Sequence, residues 1–229
     1  MTSSHSYPIR LLGISGSLRR ASNNTAVLHS LATLVAGKAE LVVHPLNDIP
    51  LYDGDLDTQT PPAAVRALKQ AIAEADGIVV CSPEYNYGMS GVLKNAIDWA
   101  SRPGFKSPLK GKPVLVMTSS PGAVGGARAH CQIREAFSAT LSRVVARPQV
   151  TIAGVAQKLV DGRLVDEPTK QFIIEAVNDL IAEIRRLHGG VGTSSVPSCP
   201  LVQRRARHRS SGSLPAAANG CFWAMNQKT

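Results

Sequence analysis

The polar side chains between Gly13 and Thr25 are of the types that bind phosphate. Hydroxyl, amide and guanidinium groups stand close together here, at Ser15, Ser17, Arg19, Ser22, Asn23 and Asn24. A mostly apolar run, residues 9–12, precedes them, and apolar residues at helical spacing follow. Backbone N–H groups at a helix N-terminus point outward and favour negative charge. We therefore predict a phosphate site at this turn from strand to helix.

The spacing of residues in this loop indicates which kind of phosphate it would bind. The loop contains neither the dinucleotide pattern GxGxxG nor the Walker pattern GxxxxGK[ST]. A loop rich in side-chain donors suits one terminal phosphomonoester, as in a mononucleotide, better than a pyrophosphate. The alternative is a serine-rich turn in which Ser22 or Asn23 only caps the following helix.

Two further loops carry groups that suit a flat heteroaromatic ring. The loop at residues 82–88 offers its backbone and aromatic side chains, through Pro83, Glu84, Tyr85 and Asn86. The glycine-rich loop at residues 119–126 can bring backbone N–H groups to the edge of a ring, through Ser119, Pro121 and Gly122. The alternatives are surface aromatics beside a helix cap at Ser90 and an ordinary Pro-Gly turn.

The apolar periodicity predicts how these loops meet. Apolar runs alternate with helical spacing up to about residue 188, which is typical of an α/β protein with a doubly wound parallel sheet. We predict five strands, at residues 9–14, 40–44, 77–81, 112–118 and 147–152, in the order 2-1-3-4-5 with helices on both faces. Ligands bind where the strand order reverses, here between the first and third strands. The three polar loops open at or beside that point.

The composition changes at about residue 188. We predict one domain over residues 1–188 and a disordered basic tail over residues 189–229, which is rich in Gly, Ser, Pro, Ala and Arg without periodicity. No acidic residue follows Glu183, a pattern that also suggests translation past a frameshift. Of the net charge of +9, five positive charges lie in this tail and +4 remains for the rest, so the domain is mildly basic. We expect no nucleic-acid partner, with DNA binding through the tail as the alternative.

The sequence indicates neither a membrane segment nor a secretory one. No apolar run approaches the ~18 residues of a membrane span, and the first residues lack the apolar core of a signal peptide. We therefore expect a cytoplasmic protein without a membrane partner.

The cysteines and acidic residues show no metal-binding pattern. The four cysteines have neither a CxxC pair nor zinc-like spacing with histidine. We expect reduced structural thiols, with a catalytic thiol at Cys81 or Cys131 as the alternative. The acidic loop at residues 53–57 has no further ligand pattern, and we predict no metal site.

Three sequence motifs together resemble those of the NAD(P)H-dependent FMN reductases, in the branch of the bacterial quinone and chromate reductases. They are Gly16-Ser17-Leu18-Arg19 with Ser22-Asn23-Asn24, Pro83-Glu84-Tyr85-Asn86-Tyr87-Gly88, and Ser120-Pro121-Gly122 with Gly125-Gly126-Ala127-Arg128. The segment Ser90–Trp99 also matches. The resemblance covers about residues 8–188.

The resemblance implies a flavodoxin-like fold with tightly bound FMN. By that match Ser15, Ser17, Arg19, Ser22, Asn23 and Asn24 hold the phosphate. Pro83, Glu84, Tyr85 and Asn86 line the isoalloxazine, with Ser119, Pro121 and Gly122 at its other edge. Asn23 departs from close relatives, which often carry an apolar residue there, and the tail is a second departure.

The resemblance also implies an enzyme that passes electrons from NADPH or NADH through FMN to a small-molecule acceptor. Quinones, free flavins, azo compounds and chromate are the expected acceptors. Because the flavin carries the chemistry, we predict no catalytic side chain. We expect a homodimer or homotetramer, with Arg128 near both the interface and the flavin. The alternative is an FMN-binding electron-transfer module without turnover, although such flavodoxins tend to be strongly acidic.

Overall fold

The computed structural model describes residues 8–189. The predicted tail, from residue 190 onward, lies outside the described residues, together with its basic segment and its two cysteines. No helix in the described part of the chain is long and apolar enough to cross a membrane.

Strands and helices alternate along the described residues. The strands are β1 (Ile9–Ser15), β2 (Ala39–His44), β3 (Gly77–Ser82), β4 (Glu84–Tyr85), β5 (Gly88–Met89), β6 (Pro113–Ser119), β7 (Arg143–Val144), β8 (Val150–Ile152), β9 (Leu159–Val160) and β10 (Arg163–Leu164). The α-helices are α1 (Asn23–Leu34), α2 (Ala63–Glu74), α3 (Gly91–Ala100), α4 (Ala127–Ala139) and α5 (Glu167–Gly189). Short 3-10 turns lie at Gly54–Leu56 and Val155–Lys158.

The central sheet is parallel, with β1 between β2 and β3 and with β6 beyond β3. In register, Ile14 of β1 pairs with His44 on one side and with Val80 on the other. Both β7 and β8 pair with β6, and β4–β5 and β9–β10 form separate antiparallel hairpins. The prediction of a doubly wound α/β fold is confirmed.

The predicted fifth strand, residues 147–152, is wrong in its extent. Two short strands take its place, β7 beside the start of β6 and β8 beside its end. Pro148 lies between them, and a proline has no N–H to donate to a ladder. The ring of His130, from α4, fills the gap: its Nε2 lies 3.1 Å from the Val116 carbonyl oxygen and 3.3 Å from the Val150 nitrogen.

The side chains of the sheet divide between two buried clusters. Leu11 of β1 packs in the cluster with α1 and α5, whereas its neighbour Leu12 packs in the cluster with α2, α3 and α4. Successive side chains of a strand point to opposite faces, and here both faces are covered. This explains why β3 and β6, in the middle of the sheet, are buried at every position and largely apolar, and why polar groups concentrate in the loops at the strand ends.

The segment Ser90–Trp99 anchors the loop that follows β2. The side chain of Asn95 accepts a hydrogen bond from the Tyr52 nitrogen at 2.7 Å and donates to the Pro50 carbonyl at 2.8 Å. The Trp99 ring nitrogen donates to the same carbonyl at 2.8 Å. The residues of this motif therefore fasten the loop after β2 to α3.

Candidate functional site

The loops after β1, β3 and β6 meet in one cleft at the carboxyl edge of the sheet, because β3 lies between β1 and β6. The residues that line the cleft are Ser17, Arg19, Ser22, Asn23, Asn24, Pro83, Glu84, Tyr85, Ser119, Ser120 and Pro121. All the predicted site residues are among them except Ser15, Asn86 and Gly122. Ser120 was not predicted, although it lies between two residues that were.

Ser22 caps α1, as the alternative interpretation of this loop proposed. It has an extended backbone, and its hydroxyl oxygen accepts a hydrogen bond from the Thr25 nitrogen at 3.2 Å. That bond uses one lone pair of the hydroxyl, and the hydroxyl proton remains to be donated into the cleft. Capping of the helix and binding of an anion are therefore compatible at this residue.

Ser15 and Gly16 connect the first loop to α1 and to β3. Ser15 is buried, and its hydroxyl oxygen lies 2.8 Å from the Thr25 hydroxyl. The Gly16 nitrogen donates to the Cys81 carbonyl at 2.9 Å, and a Cβ at Gly16 would lie 2.3 Å from the Ser82 hydroxyl oxygen. Only glycine fits this close approach of the loop to β3.

Asn24 and Asn23 have different surroundings. Asn24 is buried, and its side-chain oxygen accepts hydrogen bonds from the Ser119 hydroxyl at 2.9 Å and from the Cys81 thiol at 3.3 Å. Since its oxygen is engaged, the group that Asn24 offers to a ligand in the cleft is its amide nitrogen. Asn23 is half-buried at the cleft wall.

The α1 end of the cleft is positively charged. Arg19 lines the cleft and Arg20, also exposed, does not. Within residues 8–189 neither arginine has a carboxylate at ion-pair distance. The first turn of α1 contains no acidic residue either. A guanidinium beside a helix N-terminus is a site for an anion.

Part of the cleft wall is formed by β4, the first strand of the β4–β5 hairpin, where the sequence predicted a loop. Its turn residues, Asn86 and Tyr87, both have positive φ values, 50° and 64°. This is the backbone of the tight turns that suit the twist of a hairpin, and it is strained for a tyrosine. Tyr85 lines the cleft and is half exposed, whereas Tyr87 lies under the Arg128 guanidinium, 4.2 Å from its carbon.

The carboxylate of Glu84 caps α4. Its Oε2 accepts hydrogen bonds from the Arg128 nitrogen at 2.9 Å and from the Ala129 nitrogen at 3.1 Å. The residue before α4, Gly126, has no side chain with which to cap the helix. The side chain of Glu84 is thereby engaged within the protein. Its backbone is the part that remains to contact a ring.

The third loop is fastened to the segment that includes β8. The Ser120 nitrogen donates to the Ile152 carbonyl, and the Val155 nitrogen donates to the Ser120 carbonyl, both at 3.1 Å. The Gly122 nitrogen donates to the Ser120 hydroxyl, also at 3.1 Å. The N–H groups of Ser120 and Gly122 are therefore used inside the protein.

Among residues 8–189, those that line the cleft include no histidine or cysteine. Burial raises the pKa of the Cys81 thiol to about 12, so it stays protonated at neutral pH, against the alternative of a nucleophile there. Burial lowers the pKa of His130 to about 4. Within residues 8–189 no group of three or more His, Cys, Asp or Glu side chains could hold a metal ion.

The donor set fits a mononucleotide with a terminal phosphate and a flat ring. Arg19, the hydroxyl groups and the start of α1 suit the phosphate. The backbone of the hairpin and Tyr85 suit a ring. The carboxylate of Glu84, in the cleft lining, is balanced by Arg128 and by the positive end of α4.

The chain is similar to known FMN reductases and quinone reductases. Residues 9–157 match the model of the NADPH-dependent FMN reductase family. An NAD(P)H-dependent FMN reductase of Pseudomonas aeruginosa is 39% identical over 183 residues, which are 79% of this chain and 98% of the relative. A quinone reductase of Escherichia coli is 41% identical over 169 residues, 72% of this chain and 89% of the relative. The solved structure of FerB, a flavoenzyme NAD(P)H:(acceptor) oxidoreductase from Paracoccus denitrificans, has a TM-score of 0.72 and 31% identity, covering 78% of this chain and 98% of that one.

Proposed function

This chain belongs to the NADPH-dependent FMN reductase family, and we propose that it reduces quinones with NAD(P)H through FMN held in the cleft. One observation carries the proposal: the positively charged start of α1 and the first strand of the β4–β5 hairpin line the same cleft. The similarity to quinone reductases supports the choice of acceptor.

We assign the phosphate of FMN to the α1 end of the cleft. Arg19 supplies the positive charge, Ser17 and Ser22 supply hydroxyl protons, and Asn23 and Asn24 supply amide N–H groups. Ser15 acts beneath the loop, since it is buried against Thr25. Each charge-assisted hydrogen bond of this kind contributes about 1.5–3 kcal/mol.

We assign the isoalloxazine ring to the hairpin end. The backbone of Pro83, Glu84 and Tyr85 faces it on one side, with Ser119 and Pro121 toward the other edge. Asn86 and Gly122 do not line the cleft, and we assign them a role in shaping its loops. Asn86 does so through its positive φ in the hairpin turn. Gly122 does so through the hydrogen bond from its nitrogen to the Ser120 hydroxyl.

When bound, FMN would supply the redox chemistry that links NAD(P)H to the acceptor. The side chains bind and orient it rather than react. Arg19 and the α1 start fix the phosphate, and the hairpin fixes the plane of the ring. Tyr85 is half exposed, so the cleft stays open for the donor and the acceptor to bind in turn.

We also propose a homodimer or homotetramer in the cytoplasm, with chromate, free flavins and azo compounds as further acceptors. Phe105 is 79% exposed and Leu141 is 45% exposed, and both line a groove between the ends of α3 and α4. A second copy would cover these apolar side chains. Light scattering on the purified protein measures the number of copies.

Steady-state oxidation of NADPH tests the activity. With FMN-loaded protein, 1,4-benzoquinone is expected to accelerate NADPH oxidation in proportion to enzyme concentration, and chromate and an azo dye serve as parallel acceptors. A protein that binds FMN but shows no turnover with any acceptor would favour the electron-transfer module instead. NADH in place of NADPH determines the donor preference.

A further inference from the structure

We propose that Glu84 is a positioning residue, which locks the β4–β5 hairpin to the start of α4 so that the hairpin backbone is held ready for FMN. The proposal rests on the proposed function, since it takes FMN as the ligand of the cleft. In this arrangement the Glu84 carboxylate binds the start of α4, and the backbone of the hairpin contacts the flavin.

The carboxylate is committed to α4 through three contacts. Its Oε2 accepts from two successive backbone nitrogens, those of Arg128 and Ala129, at 2.9 and 3.1 Å. Its Oε1 lies 3.4 Å from Nη1 of Arg128. The Glu84 side chain is only 13% exposed, so breaking these contacts would leave a nearly buried charge without a partner.

Two further contacts join the same hairpin to the same helix. The Arg128 guanidinium lies over the Tyr87 ring, with its carbon 4.2 Å from the ring centroid. The Gln132 side-chain oxygen accepts from the Met89 nitrogen at 3.0 Å. Glu84, Tyr87 and Met89 are thus all held by α4, at both strands and at the turn.

The hairpin needs such support because it is weak by itself. Each strand has two residues, and an isolated two-stranded hairpin is marginal in water even when longer. The positive φ values of Asn86 and Tyr87 add backbone strain. Glu84 is the first residue of the hairpin and precedes the turn, so fixing its side chain fixes the backbone that follows.

Two variants separate capping from direct contact with FMN. Glu84→Ala removes all three contacts. Glu84→Gln keeps an oxygen that can accept from the backbone nitrogens of Arg128 and Ala129 but lacks the charge. The matched control is Glu183→Ala, because Glu183 is also mostly buried, at 20% exposure, and pairs with Arg143 and Arg186 on another face.

The readouts are amide hydrogen exchange of the FMN-free protein and the dissociation constant of FMN, from titration of the same protein. Glu84→Ala is expected to speed exchange at residues 84–89 and 127–129 and to weaken FMN binding about tenfold, because the competent hairpin becomes a minor population. Glu84→Gln is expected to restore FMN affinity to within about threefold of the parent. Glu183→Ala is expected to change neither readout.

Other results would overturn the proposal. Equal loss of FMN affinity in Glu84→Ala and Glu84→Gln, with unchanged exchange, would mean that the carboxylate contacts FMN itself. Faster exchange with unchanged affinity would mean that the hairpin does not position FMN. If Glu84→Ala does not fold, Gln132→Ala takes its place, and it must loosen residues 84–89 and weaken FMN binding.

Failure of the proposed function gives a different pattern. If the parent protein itself takes up no FMN, the assignment of the cleft is wrong. The exchange comparison is made without FMN, so it still shows whether Glu84 locks the hairpin to α4.

Discussion

The side-chain oxygen of Asn24 lies 2.9 Å from the hydroxyl oxygen of Ser119, and this hydrogen bond ties the start of α1 to the end of β6. The Cys81 thiol, from β3 between them, donates to the same oxygen at 3.3 Å. All three residues are buried. One amide thus joins the three chain segments whose loops form the cleft.

Removal of the Ser119 hydroxyl should therefore disturb both the fold and the cleft. Ser119→Ala leaves the Asn24 oxygen with the weaker thiol donor alone, and we expect a loss of about 1 kcal/mol in the free energy of unfolding. FMN affinity should fall several-fold, since the Asn24 amide loses its fixed orientation. Urea unfolding and FMN titration measure the two effects. The matched control is Ser138→Ala on α4, whose exposed hydroxyl donates to the Arg134 carbonyl. An equal effect in that variant would contradict the account.

The two neighbouring arginines of the first loop should behave differently. Arg19→Ala should raise the dissociation constant of FMN by about tenfold or more, the range for loss of a charge-assisted hydrogen bond to phosphate. Its melting temperature without FMN should stay close to that of the parent, because Arg19 is exposed. Arg20→Ala removes the same charge one residue away, outside the cleft lining. If both variants weaken FMN binding equally, the arginines attract the phosphate only by long-range electrostatics, and Arg19 makes no specific contact with it.

The stability of the protein should depend on pH through His130. Its folded pKa is lowered to about 4 by burial, whereas in the unfolded chain it is close to 6.5. The unfolded state therefore binds the proton first, and the stabilisation present above pH 6.5 is lost as pH falls toward 4. Between pH 7 and pH 5 this amounts to roughly 2 kcal/mol.

His130→Gln should flatten that dependence. A glutamine amide has no charge to gain, and it can both donate to the Val116 carbonyl and accept from the Val150 nitrogen, where the histidine Nε2 stands. Urea unfolding at pH 7, 6 and 5 compares the two proteins. Equal losses of stability in parent and variant would show that other groups cause the acid sensitivity.

The sequence predicted those features that depend on local pattern. The apolar run at 77–81 predicted a strand, and β3 occupies Gly77–Ser82. The polar residues after β1 predicted a turn into a helix, and α1 begins there at Asn23. Because the carboxyl ends of neighbouring parallel strands must meet, the three loops could be assigned to one cleft before any contact was known.

The contacts between distant residues could not be predicted in this way. A glutamate such as Glu84 can contact a ring or cap a helix, and its own segment does not distinguish the two. The structure shows that its carboxylate caps α4, at a residue 44 positions later. The fifth strand position is divided at Pro148, which the sequence contains, but the placement of the His130 ring beside Val116 in that gap could not be read from it. Such substitutions of a side chain for a strand leave no periodic signal.

The measurement that tests the central claim most directly is the visible absorbance of the FMN-loaded protein, without oxygen, in two steps. We predict that stoichiometric NADPH removes the absorbance band of bound flavin, and that 1,4-benzoquinone then restores it. A protein that takes up no FMN, or a flavin band that NADPH leaves unchanged, would contradict the account.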